Sequence, residues 1–280
     1  MLSWGDPHKP AILLLHGFLG TPHEWDEVAT QLSDSYYCLA PALPGHAGRA
    51  PQANDFSGLA VELWEQISTS LPNRFTLLGY SLGGRLAMEM ARQLANSLSA
   101  ESTVRVNRAP PGKLPPEEPQ YLSALVLEGA HPGLQDAEHR RLRRTHDESW
   151  ARHFEQQPWR QALYDWYHQP VFASLDEQQR AALVERRAQH NPLHLAAVLR
   201  SASLAGQPQM SAMLSALNIP VTFITGGKDD KFTAVGEELA AINPQLRLVK
   251  LPEVGHNCHA EAPELIAKEL RSLLGHICQP

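Results

Sequence analysis

A mostly parallel α/β sheet interrupted by one helical insertion is the architecture that this 280-residue sequence predicts. Three observations carry the prediction. Short apolar runs alternate with helix-compatible stretches from Ala11 to Leu127, the pattern of strands joined by crossover helices. The alternation stops at Asp136 and sheet-forming character returns only at Ile219, so 136–217 reads as a helical cap inserted between core segments 1–135 and 218–280. Finally, a serine sits in a glycine-flanked turn between an apolar strand and a helix.

Taken in order, Ala11–Leu15 is a continuous apolar run of the kind a strand buried on both faces requires, and it ends in His16-Gly17-Phe18. The strand Phe75–Leu78 runs into Gly79-Tyr80-Ser81-Leu82-Gly83, followed by the helical stretch Arg85–Ala91. This is the pattern of a nucleophile elbow. A strained turn lifts the Ser81 hydroxyl off the sheet, and Gly79 and Gly83 let strand and helix pass without a side-chain clash. The first N–H groups of the helix then face whatever the serine attacks, so Leu82 is one expected oxyanion-hole donor and Phe18, after the first strand, is the other. His16 reads as structural. Ala124–Leu127 is a strand closing on Glu128, and Val221–Thr225 is another, followed by Gly226-Gly227-Lys228-Asp229-Asp230. The last strand, Leu246–Leu251, leads through a glycine loop to His256. The order Ser81, Asp229, His256 is that of the α/β-hydrolase fold. Asp229 suits the loop length best, with Asp230 and Glu128 as alternative acids.

Composition narrows the function classes. With 43% hydrophobic and 19% charged residues the chain has material for a large core, and its net charge of −6 argues against nonspecific nucleic-acid binding. Three cysteines without a Cys-x-x-Cys pair argue against a disulfide framework or thiolate zinc site. His256-Asn257-Cys258-His259 invites a metal reading, but no carboxylate motif accompanies the two histidines, and neither metal nor cofactor is expected. The N-terminus lacks a basic stretch followed by an apolar one, and Ala11–Leu15 is far too short to span a bilayer. A cytoplasmic protein without membrane insertion is expected, and the oligomeric state is left open. The proline-rich run Ala109–Pro116 reads as a surface loop.

The cap segment holds Trp150, Trp159 and Trp166 among a series of arginines from Arg140 to Arg200. Guanidinium groups grip carboxylates in pairs of parallel hydrogen bonds, so an anionic substrate is suggested. Most of these arginines are nevertheless expected to form surface pairs with Glu138, Asp147, Glu148, Glu155 and Glu185. Arg85 differs, because it lies one helical turn beyond Ser81 and faces the same cleft.

Four segments carry a family resemblance: Gly79-Tyr80-Ser81-Leu82-Gly83-Gly84-Arg85, Glu128-Gly129-Ala130-His131-Pro132-Gly133-Leu134-Gln135, Asp165-Trp166-Tyr167-His168-Gln169-Pro170-Val171-Phe172 and Gly255-His256-Asn257-Cys258-His259. Together they resemble the 2-succinyl-6-hydroxy-2,4-cyclohexadiene-1-carboxylate (SHCHC) synthases of menaquinone biosynthesis. The likeness spans nearly the whole chain. It implies an α/β-hydrolase fold with a helical lid, and a lyase reaction removing pyruvate from an enolpyruvyl cyclohexene carboxylate (SEPHCHC). It also implies a small polycarboxylate substrate contacted by Tyr80, Arg85, Arg143, Trp166 and Arg187. Two departures are visible, Ala42 where the family carries aspartate and Ala47 where it carries glycine, and the stretch from Ser99 to Tyr121 is longer than the family needs. A carboxylester or thioester hydrolase using the same triad is the alternative enzyme, and a noncatalytic small-molecule receptor the alternative outside catalysis.

Overall fold

The computed structural model describes residues 1–108 and 121–275. The proline-rich run 109–116, Cys278 and most of the long stretch before Tyr121 lie outside the described residues. Among the described residues seven strands form one sheet: β1 (Leu2–Trp4), β2 (Ala11–Leu15), β3 (Tyr37–Ala40), β4 (Arg74–Tyr80), β5 (Tyr121–Glu128), β6 (Val221–Gly226) and β7 (Arg247–Leu251). Their spatial order is β1-β3-β2-β4-β5-β6-β7. All neighbours pair in parallel except β1, which runs antiparallel to β3 at the edge. The apolar runs anticipated the five strands β2 and β4 to β7. The edge pair β1 and β3 was not read from sequence, because three or four residues carry too little periodicity.

The helices are α1 (Asp26–Leu32), α2 (Phe56–Ile67), α3 (Leu82–Arg108), α4 (Ala137–Gln156), α5 (Trp159–Tyr167), α6 (Glu177–Arg187), α7 (Pro192–Ser201), α8 (Ser211–Ala216), α9 (Asp230–Ile242), α10 (Cys258–Glu261) and α11 (Pro263–Gly275). Helices cover both faces of the sheet, and β2 shows why its sequence had to be apolar throughout. Leu13 and Leu15 pack with Phe56, Leu63 and Met88 on one side, while Ile12 and Leu14 pack with Trp25, Val28 and Ile266 on the other. Fully burying each such side chain stabilises the fold by about 1.5–3 kcal/mol.

Between β5 and β6 the chain makes only helices, α4 to α8. Their starts are marked locally: Asp136 caps α4, Asp176 and Gln179 form a capping box on α6, and Asn191 with Pro192 opens α7. These helices have an apolar core of their own, in which Phe154, Leu163, Tyr167 and Leu195 gather with Leu19 from the loop after β2. Phe18, Trp150, Trp159 and Trp166 pack around it. The arginines on the outside pair as the sequence suggested, Arg141 with Glu138, Arg152 with Glu148, Arg160 with Glu185 and Arg200 with Glu148 and Glu155.

Candidate active site

Ser81 lies between the end of β4 and the start of α3 with a left-handed φ of 48°. A non-glycine residue there is strained, which marks a functional turn. The flanking glycines are required by contact. A Cβ on Gly79 would lie 2.4 Å from the Gly83 backbone, and one on Gly83 would lie 2.4 Å from the carbonyl oxygens of Leu15 and His16. The Ser81 N–H donates to the Glu128 carbonyl at 2.8 Å, tying the elbow to the end of β5. Arg85 N–H donates to the Ser81 carbonyl, so the Leu82 N–H precedes the first intrahelical bond of α3.

His256 Nδ1 is 2.6 Å from Asp229 Oδ2, and both residues are buried. Asp229 is held in turn by the Phe232 N–H, which donates to its Oδ1 as the N-cap of α9. The alternative acids are displaced: Asp230 is exposed on the first turn of α9, and Glu128 bonds His259 Nδ1 at 2.9 Å. His256 and His259 therefore face different carboxylates. The Nδ1 bond to Asp229 leaves His256 Nε2 as the proton-accepting nitrogen. The Phe232 ring (centroid distance 4.6 Å) and the Tyr80 ring (5.2 Å) flank the imidazole. Ser81 Oγ makes no hydrogen bond among the described residues, and it opens into a small cavity of about 70 Å³.

That cavity is electropositive. Ser81, Arg85, Gly129, His131, Arg143, Lys231 and Phe232 line it, with Leu204 closing one side. Arg85 Nε donates to Gln207 Oε1 at 2.5 Å and its Nη2 donates to the Ala202 carbonyl at 2.6 Å, so no carboxylate neutralises it directly. Burial, followed by repulsion from Arg143, brings its pKa down to about 9. Arg143 is oriented by Asp147, whose Oδ1 accepts from Nε at 2.8 Å, and Asp147 is fixed by the Ser203 hydroxyl at 2.7 Å. Burial, followed by Arg143, lowers the pKa of Lys231. Burial and the nearby Lys231 bring His131 down to about 4. Three cationic side chains lining one cavity, with only Arg143 directly paired to a carboxylate, suit an anionic ligand.

Not every residue implied by resemblance joins this cavity. Tyr80 is buried behind it between His256 and His259. Trp166 packs on Phe18, with ring centroids 5.1 Å apart. Arg187 stands outside the residues that line this cavity: its guanidinium is buried against Glu24, and its Nε donates to the Tyr167 hydroxyl. Sequence reasoning missed Lys231 and Gln207, and it placed Asp147 only in a surface pair, whereas Asp147 is buried. The only signal for Lys231 was its place two residues after the acid. His131 stood inside a quoted motif without an assigned role. His16 is buried, with Nε2 accepting from the Leu43 N–H, in keeping with a structural histidine.

Over residues 12–269 the sequence matches the Alpha/beta hydrolase family, and the chain belongs to that family. A curated relative from Klebsiella pneumoniae subsp. pneumoniae, 2-succinyl-6-hydroxy-2,4-cyclohexadiene-1-carboxylate synthase, is 37% identical over 271 residues, with 96% of each chain covered. The enzyme of the same name from Escherichia coli O1:K1 is 39% identical over 274 residues, again with 96% of each chain covered. Within the α/β-hydrolases, this chain is a member of the SHCHC synthase family. The solved structure of MenH from S. aureus shares the fold, with a TM-score of 0.80 and 21% identity over 99% of this chain and 98% of that one.

Proposed function

We propose that this protein eliminates pyruvate from SEPHCHC to give SHCHC in menaquinone biosynthesis, with Ser81, His256 and Asp229 as the catalytic set and segment 136–217 as a cap over the site. The observation that carries this reading is the juxtaposition of the elbow serine with Arg85, Arg143, Lys231 and His131 in one cavity. An esterase pocket for neutral substrates has no use for three cations around its nucleophile.

In this mechanism Asp229 holds His256 in the tautomer that accepts a proton on Nε2, and His256 takes the proton of Ser81. The seryl oxygen acts as base on the acidic ring C–H beside the substrate ketone. The electron pair moves to the ketone oxygen, where the Phe18 and Leu82 N–H groups stabilise the enolate. Its collapse forms the new ring double bond and breaks the C–O bond to the enolpyruvyl group. The leaving enolpyruvate takes the proton from His256 and tautomerises to pyruvate, while the ring proton is left on Ser81. No acyl-enzyme and no cofactor are needed. Cys38 and Cys258 are buried free thiols, which accords with a reducing, cytoplasmic location. No described helix is long and apolar enough to cross a membrane.

Incubation with enzymatically prepared SEPHCHC, followed by pyruvate release and diene absorbance, tests the proposal. Stoichiometric appearance of both is expected. Turnover of neutral esters or thioesters without either would establish the hydrolase alternative.

A further inference from the structure

We infer that His190, a residue of the helical insertion, is a positioning residue for the oxyanion hole: with His46 it holds the Gly17–Gly20 turn in the conformation that aims the Phe18 N–H at the reacting oxygen. The inference rests on the catalytic reading above and adds to it a residue outside the triad and outside the electropositive cavity.

The turn is closed by the Gly20 N–H donating to the Gly17 carbonyl at 3.0 Å. Its third residue, Leu19, has a φ of 64°. Turns with this conformation at the third position ordinarily take glycine, and a leucine there carries a conformational cost. Something outside the turn must offset that cost. Both main-chain groups of Leu19 are engaged by imidazoles: its N–H donates to His46 Nε2 at 3.1 Å, and its carbonyl accepts from His190 Nε2 at 3.0 Å. The tautomers are consistent with these roles. His46 Nδ1 faces the Pro44 carbonyl at 3.0 Å and so carries the proton, leaving Nε2 as acceptor. Burial reinforces the neutral form, lowering the His46 pKa to about 3 and that of His190 below its ordinary value. The two rings meet edge to face at 5.8 Å.

The side chains of the turn explain why leucine is tolerated. Leu19 is completely buried in the apolar core of the insertion, and Phe18 lies against Trp166 and Phe154. Arg187, three residues before His190, pairs with Glu24 a few residues beyond the turn. The turn therefore belongs to the core by sequence and to the insertion by packing. Docking of the insertion and assembly of the oxyanion hole become one event, since lifting the α6–α7 corner removes the bond to the Leu19 carbonyl.

The test compares His190→Ala and His190→Gln with the unmodified full-length chain, using kcat and KM for SEPHCHC and hydrogen–deuterium exchange of the Leu19 and Gly20 amides. His190→Ala is expected to lower kcat by roughly ten- to a hundredfold, less than the 10²–10³ for deleting an oxyanion donor outright. KM should change little, because the anion-binding cations are untouched, and both amides should exchange faster. His190→Gln, which restores an N–H donor, should recover most of kcat and of the protection. Leu193→Ala, on the exposed face of α7, should change neither quantity. An unaltered kcat with unaltered exchange in His190→Ala overturns the inference. So does a parallel loss of kcat, KM and melting temperature that glutamine does not rescue. If the unmodified protein releases no pyruvate, the lyase reading fails by itself, and the exchange measurement still decides whether His190 holds the turn.

Discussion

Ser81, Asp229 and the arginines of the cavity yield the sharpest single-residue predictions. Ser81→Ala should lower pyruvate release by roughly 10³ or more while the protein still folds, because the elbow tolerates a smaller side chain. Near-normal turnover would remove Ser81 from the mechanism. Asp229→Asn should be far more damaging than Asp230→Asn, since Asp229 alone touches His256 and Asp230 is solvent-exposed. The reverse ranking in steady-state kinetics would reassign the acid. Arg85→Ala and Arg143→Ala should each weaken catalysis of the polyanion by about 1.5–3 kcal/mol, the worth of a charge-assisted hydrogen bond, while sparing a neutral ester. Arg187→Ala should behave differently. It leaves Glu24 buried without its partner, so its main signature should be a lower midpoint in chemical denaturation. The elbow that carries Ser81 and Arg85 and the strand ends that precede Asp229 and His256 were legible in the sequence because local spacing places them. The partner of Arg187 was not, since a one-dimensional pattern does not say which distant acid a guanidinium meets, whereas Arg143 meets Asp147 at ordinary i, i+4 helical spacing.

At the scale of elements, β5 does more than its apolar run announced. The main-chain oxygen of Glu128 at its end accepts from the Ser81 N–H, while its carboxylate accepts from both N–H groups of His259, N at 3.1 Å and Nδ1 at 2.9 Å. One buried residue thus connects the elbow to the loop that carries His256. Glu128→Ala should cost about 3–5 kcal/mol in unfolding free energy, the penalty for breaking a buried pair, and depress kcat as well. Glu128→Gln, which retains an acceptor, should recover most of the stability in urea titrations. If both variants match the unmodified protein, the elbow and the histidine loop are held together by something else. The segment between α7 and α8 plays a comparable part on the other side of the cavity. Ala202, Ser203 and Gln207 orient Arg85 and, through Asp147, Arg143. Nothing in its composition announced this, because the work is done largely by main-chain carbonyls and small polar groups common to any loop.

For the whole molecule, buried histidines predict how stability varies with pH. His46 has its pKa lowered to about 3 and His131 to about 4, each mainly by burial, whereas unfolded histidines titrate at about 6.5. His16 is lowered well below its ordinary value for the same first reason. Between the folded and unfolded values the unfolded chain binds more protons, so unfolding free energy rises with pH in that window and falls on acidification below about 6.5. Each such histidine contributes a slope of at most about 1.4 kcal/mol per pH unit. Denaturant titrations at pH 7, 6 and 5 should show progressive loss, and His46→Gln should flatten the curve. A stability that is level from pH 7 to 5 would mean that these imidazoles are already solvated.

Local information determined a great deal of this protein. Continuous apolar runs made the buried parallel strands, aspartate and asparagine caps set where helices begin, and a glycine-flanked serine between strand and helix marked the elbow. Those features are legible because each depends on residues within a few positions of one another. Tertiary structure decided the rest. It set the Asp229 carboxylate beside His256 and the Glu128 carboxylate beside His259. It buried Arg187 on Glu24, and it gathered Arg85, Arg143 and Lys231 from three distant helices around one serine. The physical reason is range: hydrogen bonding along strands and helices is settled by near neighbours, whereas the charge environment of a side chain is the sum over whatever the fold places beside it.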